Sequence, residues 1–271
     1  MRRAFAPLIE DPAHSAIVSD FDGTLSPIVT DPAAARALDG TADLLALLAR
    51  RFGVVAVVSG RPASFLVEQL AHTDRGRPVD GGAGSTGVAH GLRLVGLYGL
   101  EWAGQDGAII REPEAEQWRS TVEGAVRRLR SAAPPGVVVE GKGLAVTVHW
   151  RQAPQAEEWA AGAVASESER SGLRAHPGRM SIELRPALAV DKGSVTRSLV
   201  EGYSAACYLG DDLGDLPAFA ALADLTARAG LSTVSVAVVD AESDPAVIEA
   251  ADLTVSGPDE ALAVLEWLAV S

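Results

Sequence analysis

The sequence predicts an α/β protein, a parallel sheet covered by helices and interrupted by a smaller α+β insertion. Three observations carry this. Short apolar runs that read as buried strands alternate with helical spacing through the first third of the chain. The middle of the chain instead holds paired strand-like runs joined by tight glycine turns, the mark of an antiparallel sheet. The strand–helix rhythm then resumes toward the C-terminus.

Taken in order, Ala16-Ile17-Val18 is a short buried strand, ended by the turn residues Gly23 and Thr24. Ala42 to Arg51 carries leucines at helical spacing, and Gly53 to Val58 is a second buried strand. Ser59-Gly60-Arg61-Pro62 closes that strand, and Pro62 can open a helix reaching about Ala71. Leu92 to Tyr98 is the third strand. From about Ala103 the order becomes short strand, helix (Glu114 to Arg130), strands Val137 to Gly141 and Leu144 to Trp150, helix (Ala156 to Arg170), then two strands. A helix then starts near Lys192, and the strand Ala205 to Leu209 runs into Gly210-Asp211-Asp212. Val234 to Val239 is a further strand, and a last helix spans about Pro258 to Leu268. The expected domains are a core of residues 1–102 and 189–271 and an insertion of residues 103–188.

The chain of 271 residues is 48% apolar and 22% charged, enough for a substantial core. Its net charge of −13 argues against a nucleic acid or an anionic membrane as partner. No apolar stretch approaches membrane-spanning length. Arg2-Arg3 is followed by Pro7, Glu10 and Asp11, where a signal peptide needs continuous apolar residues, so the expected location is cytoplasmic. The single cysteine, Cys207, sits in an apolar run and reads as a small core residue. Nothing in the pattern calls for an obligate protein partner. Gly82, Gly84 and Gly87 match a dinucleotide fingerprint but precede a strand, so the match has no mechanism; the run Gly81 to Gly87 reads as a loop. Gly136, Gly141 and Lys142 nearly spell a P-loop, but Gly143 replaces the hydroxyl residue and the segment is a hairpin.

Four polar stations follow the parallel strands or open a helix: Asp20/Asp22, Ser59-Gly60-Arg61, Lys192, and Asp211-Asp212 with Asp215. Open α/β sheets place their ligands at the carboxyl ends of strands. Side chains two apart on a strand share a face, so Asp20 and Asp22 are expected to project together. Singly, each station can also be a turn, a surface lysine or an acidic cap. Jointly they suit attack by a carboxylate on a phosphate monoester. Asp20 would be the nucleophile, and Asp22 would protonate the departing oxygen and later take a proton from water. Anion repulsion opposes this, on the order of 4 kcal/mol for each unit-charge pair at 4 Å and an effective dielectric near 20. Cations are therefore needed. Asp211 with Asp20 offers oxygen ligands suited to Mg²⁺, Lys192 adds a positive charge, and the Ser59 hydroxyl and loop amides can donate to the phosphoryl group. Asp212 or Asp215 could hold the metal's waters or orient Lys192.

Asp20 to Thr24, Ser59, Lys192 and Gly210 to Asp215 together resemble the haloacid dehalogenase superfamily. The resemblance implies a Rossmann-like core with an inserted α/β cap (type C2), Asp20 as nucleophile, Asp22 as acid/base, and Mg²⁺ held by Asp20, the Asp22 carbonyl and Asp211. Gly60 joins Ser59 and Lys192 in gripping phosphate, with Thr24, Asp212 and Asp215 as supporting residues. Nearly the whole chain further resembles the trehalose-6-phosphate phosphatases. The carriers are Asp20 to Ile28, Ser59-Gly60-Arg61, Gly96 to Glu101, Val139 to Gly143 leading to His149-Trp150-Arg151, and Ile182 to Pro186 leading to Asp191-Lys192-Gly193. That family implies that Glu140, Lys142 and Glu183 grip sugar hydroxyls, together with Arg61, Glu101, His149 and Arg185.

The chain departs from the family pattern at Tyr98, where His is usual, and at Gly214, Leu216 and Pro217 in the last acidic motif. The expected reaction is hydrolysis of trehalose 6-phosphate to trehalose and phosphate, the last step of trehalose biosynthesis. The rivals are a sucrose-phosphate or mannosyl-3-phosphoglycerate phosphatase, a phosphomutase, and a non-catalytic sugar-phosphate sensor.

Overall fold

The strand runs read from the sequence assemble into an eight-stranded mixed sheet and a separate four-stranded antiparallel sheet in the computed structural model, which describes residues 2–29, 31–73, 86–178 and 180–271. The chain divides into two compact units, Met1–Ile110 with Val190–Ser271, and Arg111–Ala189.

The first unit begins with α1 (Ala6–Glu10), β1 (Ser15–Ser19), α2 (Thr41–Arg51), β2 (Val54–Val58) and α3 (Ala63–Leu70). A two-residue antiparallel pair, β3 (His72–Thr73) and β4 (Thr86–Gly87), precedes β5 (Leu92–Gly96), β6 (Glu101–Ala103) and β7 (Ile109–Arg111). Residues 81–85 of the glycine-rich run lie outside the described residues. The unit is completed by α7 (Lys192–Val200), β12 (Ala205–Gly210), α8 (Leu216–Ala229), β13 (Ser232–Val239), α9 (Pro245–Ala250), β14 (Leu253–Ser256) and α10 (Gly257–Val270). Between these two stretches the chain builds the second unit, Arg111–Ala189. It contains α4 (Pro113–Glu116), α5 (Arg119–Ala132), β8 (Val138–Gly141), β9 (Val146–His149), α6 (Glu157–Ser171), β10 (Arg174–Gly178) and β11 (Ser181–Arg185).

The large sheet has the order β14-β13-β12-β1-β2-β5-β6-β7. Its strands are parallel from β14 to β5, and β6 pairs antiparallel with β5. The chain walks one way from β1 to β5 and the other way from β12 to β14. The order therefore reverses between β1 and β12, and the crevice for a ligand opens at their carboxyl ends. Every residue of β1, β2 and β12 is buried, because alternate side chains serve two different cores. Ile17, Val55 and Cys207 pack with Leu48, Leu66 and Leu265 on one face. Val18, Ala56 and Tyr208 pack with Leu199, Phe219 and Val247 on the other. Each large side chain so buried stabilises the fold by roughly 1.5–3 kcal/mol.

The second unit is a four-stranded antiparallel sheet, β10-β11-β9-β8, backed by two helices. Val146, Val148 and Leu184 face a core with Val122 and Leu129 of α5 and Val164 of α6. The buried carboxylate of Glu167 takes a two-pronged pair from Arg128 at 2.9 and 2.6 Å and ties α6 to α5.

Three differences from the sequence reading have physical causes. The strand expected over Leu92 to Tyr98 stops at Gly96, because Leu97 and Tyr98 take left-handed backbone (φ 49° and 60°) and turn the chain into β6. Residues 103–110, expected in the insertion, continue the large sheet through β6 and β7, so the second unit starts at Arg111 rather than 103. The sequence reading also placed no helix between Asp215 and Val234, where α8 forms with Ala218, Phe219, Ala221 and Leu222 as its buried face.

Candidate active site

The acidic run at the end of β1 is split between two environments. The strand ends at Ser19, but the Asp20 amide still donates to the Leu209 carbonyl at 2.8 Å, so Asp20 extends the ladder by one residue. The carbonyl of Phe21 then accepts from the amides of Leu25 and Ser26, which curls the chain away. Asp22 therefore lies beyond the strand, in an isolated bridge to Ser26. Asp20 is 4% exposed and meets the Lys192 ammonium at 2.8 Å. Asp22 is partly exposed and is clasped by Arg61, with Nε to Oδ2 at 2.7 Å and a terminal nitrogen to Oδ1 at 2.8 Å. The Arg61 guanidinium lies 4.8 Å from the Phe65 ring centre, and Phe65 stands edge-on to Phe21. The pair is thereby held in one orientation.

Asp211 and Asp215 arrive from the neighbouring strand. Asp215 Oδ2 accepts from the amides of Asp211 (3.0 Å) and Asp212 (3.1 Å), while Oδ1 accepts from Lys192 and from the Tyr208 hydroxyl, both at 2.7 Å. This tight wrap requires glycine at 210, since a side chain there would overlap the Asp215 carboxylate. Gly23, at φ 75°, is needed for the same reason: an added Cβ would collide with the Asp211 carboxylate. Asp212 is exposed and caps the short turn Leu213–Asp215 by accepting from the Gly214 amide at 2.8 Å. Lys192 opens α7, whose first turn is fixed by Asp191 and Ser194 in a reciprocal cap.

Carboxylate oxygens of Asp20, Asp211 and Asp215 all lie within 4.8 Å of one another, and all three residues are buried. Burial raises the Asp20 carboxyl well above its usual range, opposed by Lys192 and reinforced by Asp215 and Asp212. Asp211 is raised for the same leading reason, and its acidic neighbours add to it. Lys192 is held well above the ordinary lysine value by Asp20 and Asp215, against the effect of burial. The all-oxygen donor set and the surplus of buried negative charge over the Lys192 ammonium fit a hard divalent cation. Asp215 has both oxygens engaged, so Asp20 and Asp211 are the carboxylates best able to reach one. Thr24 Oγ1 is buried beside this turn with no hydrogen-bond partner among the described residues.

Ser59 follows β2 and is buried, its hydroxyl accepting from the Arg61 amide at 3.1 Å. Tyr98 lies across Gly60, where an added Cβ would come within 2.5 Å of the phenol oxygen. The Leu97 amide donates to the Arg61 carbonyl and the Tyr98 amide to the Ser59 carbonyl, so this strained turn is stitched to the Ser59–Arg61 loop. Glu101 is buried, and its Oε2 accepts from the Ala63 amide at 3.1 Å, capping α3.

In the second unit, strand register aligns His176, Glu183, Thr147 and Glu140 in one row across the sheet. Glu183 Oε1 accepts from Lys142 Nζ (2.9 Å) and from the Thr147 hydroxyl (3.0 Å). Arg185 Nε stands 3.5 Å from Glu183 Oε2, and His149 Nε2 contacts Glu140 Oε2 at 2.9 Å. Lys142 is at the hairpin tip, where its amide donates to the Ala145 carbonyl. All five polar residues expected here thus form one cluster. Sequence reasoning missed Thr147 and His176, although Thr147 alternates with His149 on the same strand. Burial, with Arg185 and Arg174, lowers the His176 pKa and keeps its ring neutral near pH 7.

The sheet reverses its order where Asp20, Lys192 and Asp211 gather. This α/β fold is shared with a Bacteroides thetaiotaomicron phosphatase of the haloalkanoate (HAD) superfamily, which superposes with a TM-score of 0.51 at 17% identity, covering 95% of this chain and 96% of that one. A model of the trehalose-phosphatase family matches residues 18–75 and 86–255, and the chain belongs to that family. The trehalose-phosphate phosphatase of Mycolicibacterium paratuberculosis is 36% identical over 219 residues, 77% of this chain and 51% of that protein. That of Mycobacterium marinum is 33% identical over 217 residues, 76% of this chain and 51% of its own length. The chain therefore spans about half the length of these relatives. The C-terminal domain of Candida albicans trehalose-6-phosphate phosphatase shares the fold, with a TM-score of 0.75 at 22% identity over 99% of this chain and 96% of that domain.

Proposed function

We propose that this protein hydrolyses trehalose 6-phosphate to trehalose and inorganic phosphate through a phosphorylated Asp20. The observation that carries the reading is the Asp20–Lys192 pair at 2.8 Å, set beside the buried Asp211 carboxylate at the sheet's reversal point. An Asp20 oxygen forms a bond to phosphorus as the bond to the sugar oxygen breaks. Asp22 donates a proton to that departing oxygen, then takes one from the water that cleaves the aspartyl-phosphate. Both Asp22 oxygens are engaged by Arg61, so one must be released before Asp22 can act as acid. The Ser59 hydroxyl, the Gly60 amide and Lys192 donate to the phosphoryl oxygens as negative charge shifts among them.

Mg²⁺ would be held by Asp20, the Asp22 carbonyl and Asp211, and when bound it supplies charge neutralisation of the phosphoryl group. Thr24, Asp212 and Asp215 support this shell. We assign sugar recognition to Glu140, Lys142, His149, Glu183 and Arg185, with Arg61 and Glu101 in the first unit, and read the unit Arg111–Ala189 as the specificity domain. The His149–Glu140 and Lys142–Glu183 pairs offer the mixed donors and acceptors that hydroxyls need. A cytoplasmic location fits a chain whose single cysteine is a buried free thiol.

The test is phosphate release by the purified protein with Mg²⁺ or with chelator. Trehalose 6-phosphate, sucrose 6-phosphate and mannosyl-3-phosphoglycerate are offered in parallel. Preference for the first, lost on chelation and in Asp20→Asn, supports the reading. Turnover surviving in Asp20→Asn, or a clear preference for either other sugar, sinks it.

A further inference from the structure

Tyr208 is a fully buried phenol in a strand otherwise built from small and aliphatic residues. Its ring packs edge-on against Phe219 at 5.9 Å, which accounts for the aromatic body but not for the hydroxyl. That hydroxyl donates to Asp215 Oδ1 at 2.7 Å, the same oxygen that receives Lys192 at 2.7 Å. Lys192 in turn reaches Asp20 Oδ1 at 2.8 Å. A continuous line of contacts thus runs from the interior of the sheet to the nucleophile.

The line has a physical purpose. Lys192 sits between two buried carboxylates that compete for one ammonium. Asp215 Oδ2 is satisfied by two backbone amides, whereas among the described residues Oδ1 receives Lys192 and the phenol. A neutral donor on Oδ1 satisfies Asp215 without adding a second cation, leaving the Lys192 charge shared with Asp20. Without it, the ammonium would be the sole donor to Oδ1 and would be drawn toward Asp215.

We propose that Tyr208 is a positioning residue for phosphoryl transfer, holding Asp215 so that Lys192 stays directed at Asp20. This rests on the reading of Asp20 as nucleophile given above. Tyr208→Phe deletes the hydroxyl and keeps the ring. The expected result is a kcat for trehalose 6-phosphate lowered roughly tenfold or more, with KM and the Mg²⁺ concentration for half-maximal rate unchanged within about twofold.

A merely structural role would lower the melting temperature and leave the kcat of the folded enzyme intact. The decisive measurement is a double-mutant cycle with Asp215→Asn. If Tyr208 works through Asp215, adding Tyr208→Phe to Asp215→Asn costs little further kcat, whereas independent roles multiply. Should Tyr208→Phe be unstable, the whole cycle is read at a lower temperature at which circular dichroism shows every variant folded. A kcat within twofold of wild type, a loss seen only in KM, or fully multiplicative losses each overturn the proposal. Asp20→Asn run beside them separates the two readings. If it is inactive while Tyr208→Phe is normal, only the role of Tyr208 falls; if it remains active, the nucleophile assignment falls first.

Discussion

Glu183 shows at the scale of one residue how charge is stabilised inside this protein. It is 6% exposed, and burial by itself would push its carboxyl upward. Lys142 and Arg185 outweigh that, with hydrogen bonds from Lys142 and Thr147, and hold it below the ordinary glutamate value. In the unfolded chain the group titrates near about 4.3. The unfolded state therefore binds more protons as pH falls between that value and the lower folded one, and stability declines through that interval. Glu183→Gln leaves Lys142 without its closest counter-charge and should cost about 2–4 kcal/mol at neutral pH. That deficit should shrink as pH falls below the unfolded glutamate value, through the lowered folded one. Urea unfolding at several pH values checks this, and a deficit independent of pH would refute it.

Among elements, the turn from β5 to β6 matters more than its length suggests. Leu97 and Tyr98 both adopt left-handed backbone, which costs non-glycine residues roughly 1–2 kcal/mol each. The strain is offset by the bonds from their amides to the Ser59–Arg61 loop and by Glu101, which caps α3 three residues past Gly60. Glu101→Ala should destabilise the fold by about 1–2 kcal/mol, the usual cost of a lost cap. It should also raise KM for the sugar phosphate, because the Ser59–Arg61 loop leads directly into that cap. A variant that melts earlier but keeps its KM would confine Glu101 to stability. Sequence periodicity did not expose this arrangement, since positive φ at Leu97 and Tyr98 is imposed by the loop they embrace. It also passed over α8, whose buried Ala218, Phe219, Ala221 and Leu222 are helically spaced but begin at the acidic motif and include Pro217.

For the whole molecule, a core in the second unit distinct from the two that flank the large sheet implies separable roles. Val146, Val148 and Leu184 bury among the helices of their own unit, and the large sheet has helices on both faces without them. Replacing residues 111–189 by a flexible linker should therefore leave the remaining unit folded, as a single cooperative transition in circular dichroism. Phosphate release from p-nitrophenyl phosphate should persist while the preference for trehalose 6-phosphate disappears. Retained preference would remove the sugar-binding role from the second unit.

The sequence by itself determined the α/β class and singled out Asp20, Ser59, Lys192 and Asp211 as candidates, because strand runs, turn glycines and acidic motifs are local signals. The polar residues around Glu183 were singled out by the resemblance to the family and not by strand alternation. Only the tertiary structure decided which charges meet. Asp20 pairs with Lys192 while Asp22 pairs with Arg61, and Tyr208, indistinguishable in sequence from a core aromatic, meets Asp215 seven residues on. Such partnerships depend on which strands become neighbours and where a turn curls, and those are settled by packing over long separations that no local pattern encodes.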